Sequence, residues 1–496
     1  MLFKKYFLEL IVFISGAVVM VLEIVGSRVV APYIGTSIIV WTSLIGGILA
    51  SLSIGYWWGG ALADAQPNYH RFSRILFLSA AFILILAWGK DFILSFLMAV
   101  SELRMRSLLA VVFLFAPPSI LLGMVSPFAV RLRMHEVQTS GSTVGRLYAI
   151  STAGSIFGTF ITGFFLLSHL GTTNILFLLA VAQFLCSILA SISTWKRILV
   201  GSAVLTLFYF NPGTYYPLSA IEFHDFNTNY HRVWIYDIPN DISGRTVRYL
   251  DTEYDGHQSG MFVDNPDELV FEYTKMYRLA GHFRPDLSRA LLIGGGGYSY
   301  PKNFLKQFET AVIDVVEIDS GLTELAREYF ALPNDDRLTI YHQDARVYLN
   351  ESNAVYDVII GDAFRSSFSI PYHLATIEAV RRYHDLLTPN GAMLLNVIGS
   401  LDGPASKLLK AQYATFQSVF PQVHLFPVDP MNPDKLQNIL LVVFKSDQAQ
   451  AFESIHPEFA RYLQRRWTGE FSSDVPVLTD EFAPVEQYLA EALLKE

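Results

Sequence analysis

The sequence predicts a two-part chain: an N-terminal polytopic α-helical membrane domain, then an α/β domain with a parallel sheet, preceded by a small β-strand region. Three observations predict it. The 496 residues are 52% hydrophobic and only 16% charged, which excludes disordered, coiled-coil and collagen-like chains and is too apolar for a wholly soluble one. The charge is split: residues 1–215 carry 13 basic and 6 acidic side chains, net +7, and the remainder carries 23 and 39, net −16. Apolar runs of membrane-spanning length fill the first half, whereas after Pro217 they shrink to strand length. The length, about three typical domains, fits this division. A single cysteine, Cys186, excludes a disulfide framework and a thiolate-ligated zinc site. The acidic second half argues against nucleic acid as a partner, because phosphate binding needs a basic surface.

Six apolar runs are long enough to cross a bilayer: Phe7–Val29, Ile38–Ala61, Phe72–Trp88, Leu108–Val130, Leu147–Leu167 and Ile175–Ser193. Phe92–Val100 is too brief for a span, and Ile198–Phe210 is marginal; both are expected to be interfacial. Lys4 and Lys5 resemble a signal-peptide n-region, but the run that follows is too long and further spans come after it. With six spans, Lys4, Lys5, Arg71, Arg74, Arg131, Arg133, Lys196 and Arg197 all fall on one side, which the positive-inside rule makes the cytoplasm. Glu23 and Arg28 lie in or near the first span, where an ionisable group is costly and is either paired or functional. Gly154 and Gly158 fit close helix packing.

In the second half, Tyr230–Tyr236 and Thr246–Asp251 alternate like strands, with a turn at Asn240–Gly244 between them, and Pro266–Phe283 reads as helical. From Ala290 strands and helices alternate, the pattern of a parallel sheet. The strands are Ala290–Ile293, Ala311–Glu317, Leu338–Tyr341, Val355–Ile360 and Ala392–Val397, with Asn438–Phe444 as a late one. The helices are Tyr300–Phe308, Leu322–Phe330 and Tyr372–Leu387. The expected boundaries are 1–212 for the membrane domain, 213–283 for a linker and small β-domain, and 284–496 for the α/β domain.

The first of these strands ends in Gly294-Gly295-Gly296-Gly297, a turn that lets a ligand approach the backbone. Glu317 follows 23 positions after Gly294, near the spacing of an acid that holds ribose hydroxyls. The third strand leads into Gln343-Asp344-Ala345 and the fourth into Gly361-Asp362. Three carboxylates thus stand beyond the carboxyl ends of successive strands, where open α/β sheets bind ligands. Singly each reads as a cap or a solvated loop residue; together with the glycine turn they predict a nucleoside site.

Several motifs carry a resemblance to a known family. These are Leu291-Leu292-Ile293-Gly294-Gly295-Gly296, Val316-Glu317-Ile318-Asp319, Gln343-Asp344-Ala345, Tyr356–Asp362 and the closing Leu478-Thr479-Asp480-Glu481-Phe482-Ala483-Pro484-Val485. From about Tyr230 onward the chain resembles the spermidine synthase family of polyamine aminopropyltransferases, which has the Rossmann-like class I S-adenosylmethionine-dependent methyltransferase fold. Leu22–Arg28 and Ala31–Ser37 resemble the bacterial members fused to a multi-helix membrane half. The resemblance implies roles. Gly294, Gly295 and Gly296 would lie against the methionine-derived part of the co-substrate, decarboxylated S-adenosylmethionine or S-adenosylmethionine. Glu317 would take the ribose hydroxyls, and Asp344 with Ala345 the adenine. Gln258 matches a glutamine of the small β-domain. Asp362 matches the catalytic aspartate that deprotonates or orients the attacking amine, a role that fits the chemistry of a mostly protonated amine at neutral pH. No metal is required, because the sulfonium carbon is already activated.

The chain also departs from that family. Polyamine-making members carry Asp-x-x-Asp followed by proline, whereas Asp362-Ala363-Phe364-Arg365 puts a cation at the second acid, and Gly297 stands where those members have an acid in the glycine loop. Arg365 would repel a dication and suits an anionic or zwitterionic acceptor. Ser366–His373 reads as a lid before a helix, with Tyr372 and His373 as candidate substrate residues. The leading expectation is a membrane-anchored transferase that moves an aminopropyl group to a small-molecule or lipid-like amine acceptor. The alternatives are a methyltransferase acting on a membrane-associated substrate and a polyamine carrier with a regulatory nucleoside-binding domain. The resemblance further implies a bacterial-type inner membrane location and a homo-oligomer. Because S-adenosyl donors are made in the cytosol, the catalytic half is expected to face inward.

Overall fold

The structure, a computed structural model, describes residues 2–100, 102–134, 140–191, 221–239, 244–254, 256–363, 371–469, 471, 475–485 and 487–488. Two units divide the chain, Met1–Tyr216 and Pro217–Glu496.

In the first unit six helices are long and apolar enough to cross a membrane: Tyr6–Ile34, Ile38–Ala65, Tyr69–Leu97, Leu103–Arg133, Ser140–Leu166 and Thr172–Ala190. Each expected span overlaps one of them. The segment Phe92–Val100 is not a separate interfacial piece, because the third helix continues through Leu97. Lys90 and Asp91 break the hydropathy there but not the helix, since Lys90 Nζ and Asp91 Oδ2 pair at 2.9 Å and Tyr33 donates to Asp91 at 3.0 Å. Ile198–Phe210 lies outside the described residues. The fourth helix widens into a π-turn over Val111–Phe115, just ahead of Pro117-Pro118, where proline cannot supply the helical N–H.

Small residues set the packing of these helices. A Cβ on Gly154 would lie 2.0 Å from the Phe13 carbonyl oxygen, and one on Gly158 would lie 2.5 Å from that of Ala17. The first and fifth helices therefore touch backbone to backbone, as small-residue seams allow. Gly55 and Gly123 bring the second and fourth helices together in the same way. Ion pairs gather at one end of the bundle: Glu9 with Arg146 at 3.1 Å and Arg133 at 3.7 Å, and Asp64 with Arg131 at 3.1 Å.

The second unit opens with a four-stranded antiparallel sheet, β1 (Phe223–Asn227), β2 (Arg232–Pro239), β3 (Thr246–Asp251) and β4 (Ser259–Phe262). β1 and β4 were not legible as strands, being short and little alternating. The turn expected at Asn240–Gly244 falls almost wholly outside the described residues. Pro266–Phe283 is not one helix but two five-residue helices, Glu272–Met276 and Leu279–Phe283. Its first part is a turn instead, in which the Glu268 amide donates to the Asn265 carbonyl at 3.1 Å and Leu269 bridges to Met261 of β4.

The main sheet has seven strands: β5 (Arg289–Ile293), β6 (Val312–Val316), β7 (Leu338–Tyr341), β8 (Tyr356–Gly361), β9 (Leu387–Gly399), β10 (Gln422–Pro427) and β11 (Gln437–Phe444). Their spatial order is β10-β11-β9-β8-β5-β6-β7. β5 to β9 run parallel, and β11 lies antiparallel between β9 and β10. This is the Rossmann-like arrangement expected. Alternate residues of each strand enter opposite cores: Ala290, Leu292, Val358 and Ile360 on one face, Leu291, Ile293, Ile359 and Met393 on the other. Burial on both faces explains why these strands read as continuous apolar runs. The path reverses beside β5, which has β6 on one side and β8 on the other. That switch point opens a crevice at the carboxyl ends of β5 and β8. The stretch expected as one helix over Tyr372–Leu387 divides into a 3₁₀ turn, Tyr372–Leu374, and a helix, Ile377–Leu386.

Candidate active site

The glycine turn and the tip of β8 meet at the switch point. Gly294 has φ +93°, and a Cβ there would lie 2.3 Å from the Asp362 carbonyl oxygen. No other residue lets these two backbones approach so closely. The Asp362 amide donates to the Ile293 carbonyl at 2.8 Å, and the Gly294 amide to that of Val316 at 2.9 Å, so the tips of β5, β6 and β8 are tied in register. Gly296, at φ +51°, turns the loop beneath Ser259 of β4, whose hydroxyl accepts from the Gly297 amide at 2.9 Å. The small sheet thus covers the glycine loop.

Glu317 lies at the end of β6 and is buried. Its carboxylate accepts from the amides of Gly295 at 2.8 Å, Gly296 at 3.2 Å and Asp319 at 2.9 Å. Three donors leave acceptor capacity on the two oxygens for a hydroxyl. Asp319 caps the helix Ser320–Tyr329 through the Gly321 amide and is held by Thr228. Asp344 follows β7 and caps the helix Ala345–Glu351. Its Oδ1 accepts from the amides of Arg346 and Val347, while Oδ2 stands 3.5 Å from His373 Nε2. Ala345 is the first residue of that helix. Gln258 precedes β4, and its side-chain oxygen is buried with no hydrogen-bond partner among the described residues.

Asp362 differs from the other acids. Its Oδ1 accepts from the Asn396 side-chain amide of β9 at 3.1 Å, and Asn396 accepts in turn from Asn438 of β11 at 3.1 Å. Burial pushes the Asp362 carboxyl up to about 6, with Asn396 and Tyr277 pulling partly the other way. The Tyr277 hydroxyl is buried outside ordinary hydrogen-bond geometry; burial, and then the charge of Asp362, raise its pKa well above the ordinary phenol value. Burial, and then the charge of Asp362, raise Tyr273 as well. A carboxylate poised near neutrality between two phenols can accept a proton from a protonated or hydrogen-bonded nucleophile.

The structure therefore brings together Gly294, Gly295, Gly296, Glu317 and Asp362, with Ser259 beside Gln258 closing over the loop. Asp344, Ala345 and His373 form a neighbouring group. Tyr372 is exposed on the 3₁₀ turn. Arg365 and most of the expected lid, Ser366–His373, lie outside the described residues. Sequence reasoning missed Ser259, Tyr273, Tyr277 and Asn396. Of these, only Asn396 carried a signal, as a polar residue inside the apolar run Met393–Ile398.

Residues 270–424 match the family described as the spermine/spermidine synthase domain. The match lies within the second unit and identifies that stretch as a spermine/spermidine synthase domain. The chain is 27% identical over 241 residues to a polyamine aminopropyltransferase of Vibrio vulnificus, covering 46% of this chain and 79% of that protein. It is 27% identical over 294 residues to a "probable polyamine aminopropyl transferase" of Bifidobacterium longum, covering 54% of this chain and 64% of that one. Among solved structures, a "probable spermidine synthase" from Corynebacterium glutamicum matches with TM-score 0.42 and 22% identity, over 50% of this chain and 87% of that one. With the spermine/spermidine synthase domain placed over the crevice, the match takes in β5 to β9, both site tyrosines, Glu317, Asp344 and Asp362.

Proposed function

We propose that the protein is a membrane-anchored aminopropyltransferase that moves the aminopropyl group of decarboxylated S-adenosylmethionine to an amine acceptor. The observation that carries this reading is Asp362, an acid raised to about 6 and set against the glycine turn where the donor would lie. The donor's fit rests on two features of the chain: the tight glycine turn at the tip of β5, with positive φ at Gly294 and Gly296, and the buried, unpartnered oxygen of Gln258. Glu317 would hold the ribose and Asp344 with Ala345 the adenine.

The sulfonium supplies an activated carbon and a thioether leaving group. Asp362 takes a proton from the acceptor nitrogen and holds its lone pair towards that carbon. As the carbon–nitrogen bond forms, the carbon–sulfur bond breaks and its electron pair stays on sulfur, giving 5′-methylthioadenosine. Asn396 keeps the carboxylate oriented, and Tyr273 and Tyr277 exclude water.

The acceptor is expected to differ from a simple diamine. A Cβ on Gly297 would lie 2.8 Å from Ser259 Cβ and 3.0 Å from the Phe330 ring, so an acid in the glycine loop does not fit here. Arg365 suits an amine that also bears an anionic group, whereas His373, 3.5 Å from Asp344, lies on the adenine side instead. The basic residues Arg131, Arg133 and Arg146 at one end of the helical bundle support placing that end on the cytoplasmic side.

The test is turnover by the full-length protein in detergent, supplied with decarboxylated S-adenosylmethionine and a panel of amines. Mass spectrometry should detect 5′-methylthioadenosine with at least one acceptor, formed at least about 10²-fold more slowly by Asp362→Asn. Formation of S-adenosylhomocysteine from S-adenosylmethionine instead would replace this reading with methyl transfer.

A further inference from the structure

Three chain segments far apart in sequence meet on one guanidinium. Arg346 lies two residues after Asp344, on the helix that Asp344 caps. Its Nη1 donates to the His373 carbonyl at 2.6 Å and to Thr376 Oγ1 at 3.1 Å. The same group grips Asp480 with both nitrogens, Nη1 to Oδ1 at 3.1 Å and Nη2 to Oδ2 at 2.5 Å. Thr376, fully buried, donates to Asp480 Oδ1 at 2.6 Å and closes the ring.

Asp480 is itself fixed. Its amide donates to Glu378 at 3.0 Å; two residues earlier, the Leu478 carbonyl accepts from Ile377 at 2.8 Å and the Leu478 amide donates to Thr415 at 2.9 Å. Leu478 and Val485 are buried against Ala375, Leu408 and Ala411. The segment that bears Asp480 is therefore docked, and the guanidinium ties it to the turn that carries His373. That turn is what sets His373 Nε2 3.5 Å from Asp344 Oδ2.

We infer that Arg346 and Asp480 are positioning residues: a clamp that holds the Tyr372–Leu374 turn against Asp344, so that the segment around Leu478–Val485 completes the purine side of the donor pocket. This deepens the proposed aminopropyltransferase reading and rests on it. An arginine is needed, because a planar fork can serve a carboxylate with two nitrogens and still reach a carbonyl, whereas a lysine offers one point charge. The clamp lies on the adenine side and touches neither Asp362 nor Asn396. Its loss should therefore weaken nucleoside binding and leave the transfer step alone.

The experiment measures 5′-methylthioadenosine affinity by calorimetry on the full chain in detergent, together with donor KM, acceptor KM, kcat and melting temperature. Wild type, Arg346→Lys, Asp480→Asn and Asp480→Glu are compared. Arg346→Lys and Asp480→Asn should each raise the nucleoside Kd and the donor KM about tenfold, with kcat and acceptor KM changed by less than about twofold. Asp480→Glu, which keeps the carboxylate, should recover most of the affinity. Unchanged affinity in Asp480→Asn overturns the clamp. So does a loss spread evenly over affinity, kcat and melting temperature, which is the signature of a structural tie. Absence of nucleoside binding by wild type sinks the transferase reading itself, and the clamp with it.

Discussion

The Asn396 side-chain amide donates to the Asp362 carboxylate across the tips of two adjacent parallel strands, at 3.1 Å. That hydrogen bond favours the charged acid, while burial favours the neutral one and wins, lifting the pKa to about 6 from an ordinary 3.8. A general base must be ionised to work. The rate of transfer should therefore rise with pH, reach half its plateau near pH 6 and stay flat into the alkaline range. Asp362→Asn should lower kcat by about 10²–10⁴-fold and abolish that limb. The pH profile of kcat/KM, which reports the free enzyme's essential groups, checks this for both proteins.

The same shift has a consequence for stability, with a definite sign. The folded pKa lies above the unfolded one, so between them the native state holds a proton that the unfolded chain has released. Stability then falls as pH rises through that window. Asp362→Asn removes the ionisation. Its melting temperature should match wild type below about pH 4 and exceed it by a growing margin up to about pH 7. Thermal melts of both proteins across that range would show the divergence; a constant offset would contradict it.

Gly294 is where the backbone of the glycine turn meets that of β8. Alanine there must adopt φ +93° and place a methyl 2.3 Å from the Asp362 carbonyl oxygen. We expect Gly294→Ala to destabilise the domain by about 2–3 kcal/mol and to lose nucleoside binding. Gly244, also at positive φ but in open space, is the control: Gly244→Ala should cost about 1 kcal/mol and retain binding. Denaturation and calorimetry on the pair decide it.

In the membrane unit the first and fifth helices are joined at Gly154 and Gly158. Gly154→Leu would drive a side chain into the Phe13 carbonyl and should separate those helices. Fluorescence-detected size exclusion after heating should show an earlier loss of the monodisperse peak than in wild type. Leucine at Gly163, which has nothing within 4 Å of its Cβ, should leave the peak unchanged.

Much of this architecture was legible in the residues. The spans were read because a run of about 20 apolar side chains has few other uses. β5, β6, β8 and β9 were read because strands buried in the sheet leave apolar runs between helices. The glycine turn and the acids after β6, β7 and β8 were legible because a strand tip is a fixed place. What was hidden depended on pairing across the chain. β4 is too short to show a period, and only its contact with the glycine loop through Ser259 gives it meaning. The third span was read short because Lys90 and Asp91 interrupt its hydropathy, although each neutralises the other. Tyr273 and Tyr277 read as ordinary core aromatics, and nothing local said they face Asp362. Asn396 was the readable exception, since a polar side chain in an apolar strand needs a partner. Asp480 was read only as part of the closing motif, because its arginine lies 134 residues away.

The most direct test is the experimental structure of the full-length protein bound to 5′-methylthioadenosine. The account predicts the ribose hydroxyls on Glu317, the adenine beside Asp344 and Ala345, and the sulfur over the Gly294–Gly296 turn, with the sulfur lone pair that replaces the transferred arm directed towards Asp362 and room between them for that arm's first carbon and a nitrogen about 3–3.5 Å from it. A nucleoside bound elsewhere, or seated with its sulfur pointing away from Asp362, would contradict it.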